Sequence, residues 1–97
     1  MSILAMLFRS KPKLARPDEF PAVADALRDN LRTSGFPAEA DRLQQALEGV
    51  WTTSNEFYGE LYLALKHIGK ERRDLPADIA AEIRRLMKSI DHICRWR

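Results

Sequence analysis

From Phe20 onward, apolar residues recur along this chain at steps of three and four, and Gly or Pro interrupts them at only a few points. That spacing places side chains on one face of a helix, whereas a half-buried strand needs alternation at every second residue. The expectation is therefore an all-α protein. Its 97 residues suffice for one domain with an adequate core, and a second active domain does not fit.

The first stripe is Phe20, Val23, Ala24, Leu27 and Leu31, which predicts a helix over about 18–34. Pro17, Asp18, Glu19 and Pro21 crowd its first turn, where a missing amide hydrogen is harmless and negative charge suits the helix dipole. Gly35 should end it, and Pro37 should start an antiparallel return over about 37–50 with Ala40, Leu43, Ala46, Leu47 and Val50 inward. A third helix is expected over 53–68, where Phe57, Leu61, Ala64, Leu65 and Ile68 form the inner stripe and Gly69 is a terminator or a weak point. The fourth starts at Leu75-Pro76 with the cleanest seam, Ile79, Ile83, Leu86, Ile90 and Ile93.

Two signals conflict between the second and third helices. Gly49 and the sequence Thr53-Ser54-Asn55-Glu56, which has the form of a capping box, argue for a stop. The apolar register through 40, 43, 47, 50, 54, 57, 61, 64 and 68 argues for one kinked helix, interrupted only by the polar Ser54. Such a helix would be about 48 Å long and would overhang its partners. A break at 51–54 is the favoured reading, giving a small antiparallel bundle of four helices, or three if those two are continuous. Gly59 is out of place in a helix interior and suggests close approach of another backbone or a strained junction.

Composition excludes some classes. With 45% hydrophobic and 31% charged residues the chain is an ordinary globular protein, since disorder calls for fewer apolar residues and a larger net charge. No apolar run approaches the ~18 residues of a membrane-spanning helix. The lone Cys94 makes no internal disulfide, which agrees with a reducing, cytoplasmic setting. Residues 1–16 carry +4, residues 17–65 carry −6 and residues 66–97 carry +4. This layout suggests attraction between elements of the bundle or between copies.

Residues 1–16 read as a basic arm ahead of a bundle domain over 17–97. The short apolar run Ile3 to Phe8 lacks the flanks of a secretory signal. It suits an arm that covers a groove of this bundle or of a neighbour. Followed by Arg9, Lys11, Lys13 and Arg16, it also suits a weak contact with an anionic membrane surface.

Catalysis has little support. His67 and Glu71 stand at i, i+4, but a dimetal bundle needs several inward acids and histidines. His92 and Cys94 are about 200° apart on a helix, so they do not form a base and nucleophile there. Glu56 and Glu60 share a face, yet capping and solubility explain both. No metal or cofactor is expected, and no enzyme. A nucleic-acid alternative rests on Arg84, Arg85, Lys88 and Arg95 of the last helix. Asp91 and Glu82 interrupt that face, and no helix-turn-helix spacing precedes it.

The leading expectation is protein–protein association, as a homodimer, an adaptor or an inhibitor. Trp51, Tyr58, Tyr62, Leu63 and Trp96 are more large amphipathic side chains than a small bundle needs outside its core stripes, and they are the interface candidates.

Overall fold

In the computed structural model, which describes residues 14–49 and 53–94, each apolar stripe becomes a helix. A 3-10 turn over Pro17–Glu19 leads into α1 (Phe20–Thr33), followed by α2 (Pro37–Glu48), α3 (Ser54–Glu71) and α4 (Ala77–Cys94). The described residues contain no strand. The helices pack in a closed cycle, α1 on α2, α2 on α3, α3 on α4 and α4 on α1. Cross-helix partners show the antiparallel sense. Arg28 reaches Gln44 and Arg32 reaches Asp41, so a step back along α1 is a step forward along α2.

Local chemistry accounts for the boundaries from the end of α1 to the end of α3. Gly35 adopts φ +94°, and the Gly35 and Phe36 amides donate to the carbonyls of Arg32 (3.3 Å) and Leu31 (2.8 Å). These two bonds satisfy carbonyls that the end of α1 leaves without helical partners, and the left-handed conformation they need favours glycine. Phe36 is buried beside the core, and the Arg72 guanidinium lies 4.8 Å above its ring. That contact ties the α1–α2 turn to the segment following α3.

The break between α2 and α3 is real. Gly49 is extended (φ −61°, ψ 151°), as is Thr53 (φ −134°, ψ 158°), and the Thr53 side chain accepts a bond from the Glu56 amide. The cap chemistry overrides the apolar phase because Gly at the end of one segment and Thr at the start of the next both disfavour helix continuation. Among the described residues four helices result, not three, and α2 ends at Glu48, two residues before the expected limit.

Two glycine expectations are corrected. Gly69 does not stop α3, which runs to Glu71 and ends where the Arg72 amide bonds to the Ile68 carbonyl at 3.0 Å. Gly59 lies in neither a close backbone approach nor a strained turn: a methyl group added there would meet nothing within 4 Å. Its φ is not positive, so the position sits in ordinary open helix.

The core follows the predicted stripes. Phe20, Ala24, Leu27 and Leu31 meet Ala40, Leu43 and Ala46, then Leu61, Ala64, Leu65 and Ile68, and finally Ile79, Ile83, Leu86 and Ile90. Burying each of the larger side chains contributes about 1.5–3 kcal/mol. Val23, Leu47, Phe57 and Ile93 pack at the edge of this cluster, half-buried. Ala15 is buried as well, and its amide donates to the Ser89 hydroxyl at 2.9 Å, so the bundle's packing begins two residues before Pro17. Residues 1–13, and with them most of the basic arm, lie outside the described residues, as does Val50.

Candidate association surface

Helix α3 has two faces set by its 3.6-residue period. Phe57, Leu61, Ala64, Leu65 and Ile68 point inward, which leaves Glu56, Gly59, Glu60, Leu63, Lys66, His67 and Lys70 exposed on the opposite side. Leu63 stands out in this outer row. It is 51% exposed, and among the described residues the other exposed large hydrophobic side chain is Leu14 at 39%.

Leu63 occupies a ridge between two grooves. One, between α2 and α3, has a volume of about 380 Å³ and is bordered by Arg42, Gln45, Ala46, Glu60 and His67. The other, between α3 and α4, is about 370 Å³ and is bordered by Tyr58, Gly59, Tyr62, Asp91 and Cys94. The absence of a side chain at Gly59 helps to open the second groove. Along the first, Glu71 lies 3.7 Å from Arg42 Nη2 and 3.7 Å from His67 Nδ1, long contacts between partly exposed groups.

The five predicted interface residues fare differently. Leu63 is exposed. Tyr58 is half-buried and meets Phe20 edge to face, with ring centroids 5.4 Å apart, so much of its ring belongs to the bundle. Tyr62 is half-buried between α3 and α4. Trp51 and Trp96 lie outside the described residues.

Among the described residues, the basic side chains of α4 lie on two sides of the helix. Arg84 is exposed beside Lys66 and Gly69 on the α3 side, and Lys88 is exposed one turn further on. Arg85 turns instead toward α1. Its Nε and Nη2 each donate to a carboxylate oxygen of Glu82 at 2.9 Å, and its side chain is 20% exposed. That bidentate bond holds the Glu82 carboxyl below the usual carboxylate range against an opposing effect of burial, and raises the Arg85 pKa. Arg95 lies outside the described residues.

Among the described residues no group of three or more His, Cys, Asp or Glu side chains is placed to hold a metal ion. His92 is exposed while Cys94 is half-buried near Tyr58. No helix among the described residues is long and apolar enough to cross a membrane.

Sequence reasoning missed two features. One is Ser89, the buried polar residue of α4, whose hydroxyl joins the Ala15 amide to the Arg85 carbonyl. The other is the outer row of α3 as a unit. Its signal was present in the positions 56, 60, 63, 67 and 70, which alternate steps of four and three on the side opposite the core. Comparison with known families, with curated proteins and with solved structures finds no match to this chain.

Proposed function

We propose that this chain is a non-catalytic helical protein that acts by protein–protein association, and that its first partner is a second copy of itself. The observation that carries the reading is Leu63. Helix α3 fills its share of the core without it, yet it stands exposed on a ridge flanked by grooves on both sides. An exposed leucine alone is ordinary, whereas one between two grooves with tyrosines alongside resembles the centre of an interface, where a few large side chains carry most of the binding energy.

The charge arrangement favours this reading over nucleic-acid binding. Arg85 is committed to Glu82, and Asp91 interrupts the row formed by Arg84 and Lys88. A phosphate backbone would meet little uninterrupted positive surface there.

The direct test is the mass of the full chain measured by light scattering on an eluting peak at two concentrations. At the higher one the mass should approach twice that of the 11.2 kDa chain and fall toward one chain on dilution. A single-chain mass throughout would overturn self-association.

A further inference from the structure

The outer row of α3 is divided by charge. Its N-terminal half carries Glu56 and Glu60, its C-terminal half carries Lys66, His67 and Lys70, and Leu63 lies between them. All six are exposed. We propose that α3 pairs antiparallel with α3 of a second copy across a two-fold axis at Leu63, an inference that rests on the self-association reading and names its surface and register.

In a two-fold contact the same patch faces itself, so residue i meets residue j and j meets i. A patch of uniform charge would repel itself, and a patch whose charge reverses about its centre attracts its copy. In antiparallel pairing about Leu63, residues equally far before and after it come together. Glu56, seven before, meets Lys70, seven after; Glu60, three before, meets Lys66, three after. Each pair occurs twice by symmetry, while the parallel arrangement sets Glu against Glu and Lys against Lys. Only the antiparallel sense satisfies the pattern.

Gly59 fits the same register. It lies four residues before Leu63 and therefore opposite His67, four residues after. Apart from its chain neighbours and its own helix backbone, no described residue comes within 4 Å of where its Cβ would stand, so its small size leaves room for the partner's imidazole. The grooves on either side of Leu63 give the partner's leucine a place to settle beside the axis.

The test uses two charge-reversed forms of the full chain. Glu56→Lys with Glu60→Lys makes the row wholly basic, and Lys66→Glu with Lys70→Glu makes it acidic apart from His67. All four positions are solvent-exposed, and far-UV circular dichroism checks that each variant remains helical. Sedimentation equilibrium should show each variant dimerising at least about tenfold more weakly than the parent, and a 1:1 mixture regaining dimer as the basic row meets the acidic one. Leu63→Glu, which leaves the flanking charges in place, should give a monomer. If the parent dimerises and these variants do so equally well, the α3 register is overturned while self-association stands. If the parent is itself a monomer, both are overturned. Weakened variants that fail to recover on mixing also overturn the register, because loss without rescue does not require charge pairing.

Discussion

Ser89 is buried to 1% exposure on the seam of α4, where the apolar pattern runs on either side of it. Its hydroxyl oxygen accepts from the Ala15 amide, and its hydrogen is donated to the Arg85 carbonyl at 2.8 Å. The second bond is local and common for serine in helices. The first joins residues 74 positions apart, and no periodicity in the sequence announces it. Replacing Ser89 with Ala leaves the Ala15 amide buried without this partner and should cost about 1–3 kcal/mol in a denaturant titration. A neutral outcome would mean that the start of the bundle is held by its apolar contacts alone.

The Glu82–Arg85 pair was legible as two opposite charges three residues apart, but its consequence for the basic face was not. Spacing does not say which arginine turns toward α1. Because the folded-state pKa of Glu82 is lowered by its bond to Arg85, its stabilising contribution is present above the unfolded pKa of about 4.3 and is lost as pH falls through the lowered folded value. Glu82→Gln should therefore lower stability at pH 7 by less than about 1 kcal/mol, since the pair is partly exposed. The difference from the parent should close in acid, checked by unfolding midpoints at neutral pH and well below pH 4. A gap that persists in acid would assign the effect to packing.

At the scale of elements, apolar spacing identified the inner face of all four helices, and the caps placed most boundaries within a few residues. Where two signals disagreed, between Gly49 and Thr53, backbone chemistry prevailed over phase. The phase matched across that gap because α2 and α3 each face the same core, which requires no continuous helix. Gly69 taught the opposite lesson. A glycine lowers helix stability by about 1 kcal/mol relative to alanine, a cost that the burial of Ile68 and the Arg72-to-Ile68 backbone bond offset. Gly69→Ala should raise stability by about 0.5–1 kcal/mol, because the added methyl meets nothing within 4 Å. Thermal unfolding measures this directly, and a lower midpoint would show that the position needs its missing side chain.

For the molecule as a whole, the closed cycle of helices gives every inner stripe two neighbours, and Ala15 and Phe36 add to the core from outside the helices. Leu63 is left outside that core, exposed among the charged residues of the outer row. Individually, the charged residues of the outer row read as ordinary solvent-facing positions, and Leu63 was visible in the sequence as an apolar residue off the core stripe and an interface candidate. Their reversal of charge about Leu63 becomes meaningful once the fold shows them in one exposed line. In the proposed dimer two copies meet along that line, with the two-fold axis at Leu63. Introducing Leu63→Cys into a Cys94→Ala background puts one thiol per chain on the axis, within the short Cα separation that a disulfide requires. Under mild oxidation the account predicts that most of the protein becomes a covalent dimer on a non-reducing gel, at a rate well above that of a control cysteine at exposed Ala26 of α1. Equal or slower crosslinking at position 63 would contradict it.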